Sequence, residues 1–177
     1  MTIRPLAALL AFLCISAHAD WRPDGAFASA GFAGHGTESV TAGLQWAWDW
    51  RGTLGYAEAT AITEAYVSEW RSRSTRGTEH FTQVGLVPIA RLRPSGGASP
   101  WFFEIGVGGS MMNDLYRSRD KQFSTRFNFM DVIGIGHSFG ARREQELGLR
   151  ITHNSNAGIK EPNPGETFLQ LRYATRF

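Results

Sequence analysis

The sequence predicts an all-β protein, an eight-stranded antiparallel transmembrane β-barrel of the bacterial outer membrane, and three observations predict it. The chain opens with a segment typical of secretion, its later segments alternate apolar and polar residues between turn residues, and it ends on an aromatic residue, Phe177. Its mean hydropathy lies slightly below zero, which does not argue against a membrane barrel. Apolar residues facing lipid alternate with polar residues facing the interior, so their hydropathies cancel in the average.

Residues 1–19 form a predicted signal peptide. Arg4 precedes an apolar run from Leu6 to Ile15, and Ala17-His18-Ala19 supplies an A-x-A cleavage signal. The apolar run is too short for a transmembrane helix, which needs roughly 20 residues. The remaining residues, 20–177, are predicted to form one domain, the barrel.

Composition argues against several function classes. The one cysteine, Cys14, falls inside the predicted signal peptide, so the predicted mature chain has neither a disulfide nor thiol chemistry. With 18 Lys and Arg against 16 Asp and Glu, the charge is nearly balanced and gives little support to nucleic-acid binding. The five histidines are scattered, with no HExxH motif, acidic ligand cluster or phosphate-binding loop nearby. We therefore predict no metal, no cofactor and no nucleic-acid partner.

Period-two alternation between turn residues predicts eight strands. They cover residues 25–34, 38–50, 52–68, 77–93, 100–111, 123–139, 143–154 and 166–177. Segments with helical periodicity and good caps are missing. Glycines recur inside the predicted strands at positions 106, 108, 134 and 136, and each would cost a helix about 1 kcal/mol relative to alanine.

Closure of an even number of antiparallel strands places both termini on the periplasmic side. The connections that should then be periplasmic are short or rich in Gly and Pro: Arg51-Gly52, residues 94–97 and residues 140–142. The polar segment 112–122 and the segment 155–165 are predicted to lie at the cell surface.

The last strand has the clearest two faces. Counting back from Phe177, one face holds residues 175, 173, 171, 169 and 167, which are Thr, Tyr, Leu, Leu and Thr. The other face holds Arg176, Ala174, Arg172, Gln170, Phe168 and Glu166. The first face is suited to lipid and the second to the barrel interior. An edge strand of a soluble sandwich would show the same alternation, but secretion and the terminal Phe177 favour the barrel.

The seventh strand carries the residues that suggest chemistry. Leu147, Leu149 and Ile151 alternate onto one face, and the same count brings His153 and Ser155 onto it. Residues two apart in a strand lie about 7 Å apart on one side, within reach for a histidine base and a serine nucleophile. Polar residues at the upper membrane boundary are also common without any catalytic role.

Residues 153–165 read His-Asn-Ser-Asn-Ala-Gly-Ile-Lys-Glu-Pro-Asn-Pro-Gly and precede a short final strand. This segment resembles the C-terminal H-x-S-N-A-G…P-N-x-G signature of PagL-type lipid A 3-O-deacylases. Upstream, Phe129-Met130-Asp131 resembles the F-x-D segment of that family. The motif is long and specific, while the rest of the chain matches in architecture more than in residues.

The resemblance implies a serine esterase that hydrolyses the ester at position 3 of lipid A and releases a 3-hydroxy fatty acid. Ser155 would be the nucleophile and His153 the general base, with an acid that orients the histidine. Asn156 and Asn163, together with nearby backbone N–H groups, would supply an oxyanion hole. Each asparagine can equally be a turn residue in a loop rich in Asn, Pro and Gly.

The sequence departs from the family pattern at the acid that would orient the histidine. The family's glutamate falls fourteen residues after the histidine, which is Thr167 here, while the available carboxylate is Glu166. Strict alternation points Glu166 into the interior. A bulge after Gly165 could turn it outward, because bulges re-aim side chains beside active sites. Glu166 is therefore the predicted acid, with Asp131 and Glu161 as lesser candidates.

The implied partner is lipid A or lipopolysaccharide in the outer leaflet, reached by lateral diffusion in the outer membrane; a homodimer is left open. Phe127 and Phe129 share a face of the sixth strand and form either part of an acyl-chain groove or ordinary lipid-facing aromatics. Two alternatives remain. A non-enzymatic barrel of the OmpA/OmpX kind predicts no serine reactivity, and a lipid A palmitoyl transferase requires an interior acyl pocket.

Overall fold

The computed structural model describes residues 22–177, so the predicted signal peptide lies outside the described residues. Eight strands form a closed antiparallel barrel in sequence order, and β1 pairs with β8. The strands are β1 Gly25–Ala33, β2 Thr37–Leu54, β3 Ala57–Ser74, β4 Gly77–Arg93, β5 Trp101–Met112, β6 Phe127–Phe139, β7 Gln145–Ser155 and β8 Glu166–Arg176. The predicted fold class is confirmed. None of the helical segments in residues 22–177 is long and apolar enough to cross a membrane.

The predicted turn at Arg51-Gly52 is wrong. Both residues lie inside β2, where Gly52 pairs with Ala59 of β3. An irregularity between Ala47 and Arg51 shifts the register of this pair of strands, and the turn comes after Leu54. There Gly55 has a φ of +60°, a conformation that glycine adopts without steric cost.

The predicted sixth strand began too early, at residue 123. β6 begins at Phe127, and residues 113–126 form the longest connection of the barrel. Phe123 is buried among aromatic side chains at the extracellular end of the interior. Its apolar side chain is explained by this packing and not by a place on a strand.

The outward faces of the strands are apolar across the middle of the barrel. One row across β5, β6, β7 and β8 consists of Ile105, Ile133, Ile151 and Leu169, each 40–59% exposed. A closed barrel with such an outward band is matched by the hydrocarbon of a membrane. The longest connections, 113–126 and 156–165, leave the same end of the barrel, which is therefore the extracellular end.

Six buried charged side chains form a closed ring in the interior. Arg150 bridges Glu64 and Glu104, Arg91 bridges Glu104 and Glu146, and Arg172 bridges Glu146 back to Glu64. Arg150 donates two hydrogen bonds to the two carboxylate oxygens of Glu64, at 2.7 and 2.9 Å. Positive and negative charges alternate around the ring. It ties together strands β3, β4, β5, β7 and β8 across the interior.

Above the ring, an aromatic cluster fills the extracellular end of the interior. Its members are Trp70, Phe81, Met112, Tyr116, Phe123 and Phe168. Trp70 and Phe168 pack edge to face with centroids 4.5 Å apart. A cavity of about 20 Å³ lies between this cluster and the ring, which is room for about one water molecule. It has no space for the interior acyl chain that a palmitoyl transferase would require.

Candidate active site

Two rows of outward side chains lie on β5 to β8 directly above the aliphatic row. The lower row contains Val107, Asp131, His153 and Thr167. The upper row contains Gly109, Phe129 and Ser155. His153 and Ser155 therefore share the outward face, as alternation predicts. They lie at the step from the apolar band to the extracellular loops.

The imidazole of His153 is held from two sides. Its Nδ1 lies 2.9 Å from Oγ1 of Thr167, the residue opposite it on β8. Its other edge lies against Gly165, where an added methyl group would come within 2.5 Å of Cε1 and 2.8 Å of Nε2. In the tautomer that carries its proton on Nδ1, the Nδ1–H group donates a hydrogen bond to Thr167 Oγ1. Nε2 then keeps the lone pair that a general base needs.

Ser155 is the last residue of β7 and lies opposite Phe129 of β6. Its Oγ forms no hydrogen bond within residues 22–177 and is thus free to meet a ligand. The rings of Phe127 and Phe129 pack edge to face, with centroids 5.2 Å apart. Across from Phe129, Gly109 has no side chain, and the Phe127 ring covers it, since an added methyl group would come within 3.3 Å of Phe127 Cε2. The predicted acyl-chain role of Phe129 remains a prediction.

The two asparagines of the predicted oxyanion hole are in different situations. Asn156 Nδ2 donates to the carbonyl oxygen of Lys160 at 2.7 Å and to Ser124 Oγ at 3.0 Å, and Asn156 Oδ1 accepts from the Gly158 N–H. Its side chain orders the loop. Asn163 Oδ1 accepts the Asn156 backbone N–H at 3.0 Å, while its Nδ2 has no hydrogen-bond acceptor within the described part of the chain. Of the two side chains, only that of Asn163 is free to donate to a ligand.

The structure departs from the prediction that Glu166 orients the histidine. The pairing of β7 with β8 runs without a bulge, with His153 opposite Thr167 and Asn154 opposite Glu166. Glu166 therefore points inward and is 1% exposed. Its carboxylate accepts hydrogen bonds from Tyr116 at 2.7 Å and from Lys121 at 3.0 Å. Burial raises the pKa of the Tyr116 phenol, so it remains a neutral donor.

The two lesser acid candidates also differ in position. Asp131 is exposed on the outward face directly opposite His153 in β6, which brings their Cβ atoms to about 4.5–5.5 Å. Glu161 lies in the loop and accepts the backbone N–H of Asn163 at 3.0 Å. Among residues 22–177, no group of three or more His, Cys, Asp and Glu side chains lies close enough to hold a metal ion.

Comparison with known proteins decides the family. The family model described as lipid A 3-O-deacylase (PagL) matches residues 39–176. The chain belongs to this family. A curated relative from Bordetella bronchiseptica, lipid A deacylase PagL, is 31% identical over 95% of this chain and 92% of its own length. The lipid A deacylase PagL of Pseudomonas aeruginosa is 28% identical over 96% of this chain and 95% of its own length.

The fold agrees with a solved PagL structure. The crystal structure of the outer membrane enzyme PagL matches with a TM-score of 0.74 and 25% identity, covering 86% of this chain and 99% of that chain. The present PagL-family chain is thus an eight-stranded β-barrel of the outer membrane.

Sequence reasoning missed two residues that shape this PagL-family site. Thr167 was noted only as the residue standing where the family's glutamate falls, and it is the hydrogen-bonding partner of His153. The fourteen-residue spacing was the signal that pointed to it. Gly165 was noted only as the residue before a possible bulge, and it leaves the space that the imidazole occupies.

Proposed function

We propose that this chain is a carboxylic ester hydrolase that removes the acyl chain at position 3 of lipid A as a 3-hydroxy fatty acid. The observation that carries the proposal is the placement of His153 and Ser155 on the same outward face, in the two rows directly above the aliphatic band. Lipid A lies in the outer leaflet, and its acyl esters lie near the upper boundary of the hydrocarbon. A substrate diffusing in the membrane plane therefore brings its ester to the level of Ser155.

The proposed reaction proceeds in two halves. His153 Nε2 takes the proton of Ser155 Oγ as this oxygen attacks the ester carbonyl carbon, and the tetrahedral oxyanion forms. The bond from that carbon to the sugar oxygen then breaks, and the imidazolium gives its proton to the sugar oxygen. Water, activated by the same Nε2, hydrolyses the acyl-serine and releases the fatty acid.

Stabilisation of the oxyanion is assigned to Asn163. Its Nδ2 is unpaired within residues 22–177, and its Oδ1 is fixed by the Asn156 N–H, so the amide is oriented before substrate binds. Fixed donors of this kind stabilise the charge that develops in the transition state. Asn156 acts by holding the loop, since its own side chain is already engaged.

Two residues are proposed to share the work that one carboxylate does in a Ser-His-Asp triad. Thr167 accepts the Nδ1 hydrogen bond and fixes the ring and its tautomer. Asp131, opposite His153 on β6, supplies negative charge near the imidazolium that forms during the reaction. Orientation and charge stabilisation then come from two different strands.

The experiment is mass spectrometry of lipid A from membranes that carry the wild type, Ser155→Ala or His153→Ala at equal amounts of folded barrel. We expect loss of one hydroxyacyl mass with the wild type only, because each substitution removes a reacting group and lowers the rate by at least about 10³-fold. Thr175→Ala and His137→Ala remove the same functional groups from the outward face near its periplasmic end and should leave the lipid A product unchanged. Intact lipid A with every folded variant, including the wild type, would favour the non-enzymatic barrel.

A further inference from the structure

A polar recess opens at the extracellular end of the barrel, between the β3–β4 turn and the connection 113–126. Its volume is about 310 Å³, at the lower end of the range for small-molecule sites. Its charged lining residues are Arg76, Arg117, Arg119, Lys121, Glu79 and Asp120. We refer to it as the loop recess. It lies outside the Ser155 site, and its lining residues take no part in the bond-making and bond-breaking steps described above.

The four cations of the loop recess are not equally engaged. Arg117 pairs with Glu79 at 3.1 Å and with Asp114 at 3.2 Å. Lys121 pairs with Glu166 at 3.0 Å. Arg76 and Arg119 are exposed, and their guanidinium groups form no hydrogen bond or ion pair within residues 22–177. The recess therefore presents two arginines whose guanidinium groups have no direct partner within residues 22–177, although Arg76 interacts electrostatically with Glu79. Their planar groups match phosphate and carboxylate oxygens.

The loop recess is joined to the Ser155 site through one side chain. Lys121 Nζ donates to the carbonyl oxygen of Gly165 and to Glu166 Oε1, each at 3.0 Å. Gly165 in turn borders the imidazole of His153. The wall of the recess thus supports the backbone that positions the histidine ring. Both sites face the extracellular side, where the head group of an outer-leaflet glycolipid lies.

We propose that the loop recess binds an anionic oxygen group of the glycolipid head group, with Arg76 and Arg119 as its direct contacts. The inference rests on the proposed function and adds to it the determinant that holds the substrate's polar end. The chemistry fits a phosphate on the lipid A disaccharide or a carboxylate on the core sugars. The head group binds away from the reacting atoms, and the binding energy gained there helps to fix the position of the ester at Ser155.

The test compares full-length wild type with Arg76→Ala, Arg119→Ala and the double variant. Arg142→Ala is the matched control, since Arg142 is an exposed arginine on the periplasmic turn. Hydrolysis is measured in identical micelles on diphosphorylated lipid A, monophosphorylated lipid A, core-bearing lipopolysaccharide and an uncharged fatty acyl ester. We expect the double variant to lower the ratio of glycolipid rate to uncharged-ester rate about tenfold, with smaller effects for the single variants and none for Arg142→Ala.

The substrates identify the source of the anion. If a phosphate binds, removing one phosphate from the substrate lowers the wild-type rate and abolishes the effect of the double variant. If a core carboxylate binds, the double variant differs from wild type only on core-bearing lipopolysaccharide. Equal ratios for wild type and double variant on all the glycolipids overturn the proposal.

A binding measurement separates this proposal from the proposed reaction. Diphosphorylated lipid A and core-bearing lipopolysaccharide are titrated onto Ser155→Ala protein with and without the two arginine substitutions. About tenfold weaker binding without the arginines supports the loop recess, even if the wild type hydrolyses no lipid A. Unchanged affinity for both ligands refutes it, even if the wild type is an active deacylase. The difference should shrink as salt is raised, because the contacts are exposed charges.

Discussion

Glu166 and Thr167 are neighbours in the chain but lie on opposite faces of β8, and their surroundings differ. On the inward side, the Glu166 carboxylate accepts hydrogen bonds from the Tyr116 hydroxyl, the Lys121 ammonium and the Thr167 backbone N–H. The ring below it pairs every carboxylate with arginine. On the outward side, Thr167 makes the one hydrogen bond that holds His153, while Ser155 Oγ and Asn163 Nδ2 have no partner within the described residues. The charged side chains of the interior are paired with one another and stabilise the barrel. The polar groups of the outer wall are left available for a substrate.

The largest expected effect comes from breaking the interior ring. Arg150→Met removes the shared partner of Glu64 and Glu104 and leaves two buried carboxylates short of positive charge. We expect the free energy of unfolding to fall by about 3–5 kcal/mol, measured by urea unfolding followed by tryptophan fluorescence. Arg142→Met, at an exposed position, should change it little. Adding Glu64→Gln and Glu104→Gln to Arg150→Met should recover part of the loss; no recovery would show that the ring is not the unit that matters.

The next effect tests the outer wall. Gly165→Ala places a methyl group where the His153 ring lies, so the ring must move, and we expect a rate lower by about 100-fold. Gly165 has φ near +59°, so any side chain placed there also strains the backbone, and a control must show the effect of that strain alone. Gly55→Ala has the same strain, at φ near +60°, with open space around the added methyl and at the far end of the barrel. Equal deacylation by Gly165→Ala and Gly55→Ala would contradict the steric account of His153.

The sequence predicted which side chains face inward and outward more accurately than it predicted where the strands begin and end. Alternation predicted the outward Ile151 and the inward Gln170 and Arg172, because a closed barrel fixes each face as apolar or polar along the whole strand. It also pointed Glu166 inward, and the bulge invoked to turn it outward does not exist. The turn at Gly55 was missed because an Arg-Gly pair inside β2 looked equally suitable. The charge ring and the contact of Lys121 with Gly165 join segments distant in sequence, and no local pattern encodes them.

A smaller effect is expected from the hydroxyl that holds the histidine. Thr167→Val keeps the shape and removes the Nδ1 partner of His153, so we expect kcat to fall about tenfold while KM changes little, since the ring and its tautomer are no longer fixed. Thr167→Ser keeps the hydroxyl and should retain most of the rate. Thr167→Glu introduces a carboxylate at the position of the family's glutamate and should equal or exceed the wild type. A Thr167→Val enzyme with unchanged kcat would mean that Asp131 or the Gly165 contact alone is sufficient.

The smallest effect on activity is expected for Glu166→Gln, next to Thr167 but inside the barrel. Glutamine keeps an acceptor for Tyr116 and loses the ion pair with Lys121, so the free energy of unfolding should fall by about 1–3 kcal/mol. The deacylation rate per folded barrel should stay within about twofold of wild type, because the side chain does not meet His153. Rates are compared with those of Thr167→Val at equal amounts of folded protein. If Glu166→Gln loses more activity than Thr167→Val, the inward carboxylate does reach the reaction, and the division between a structural interior and a reactive outer wall fails at this strand.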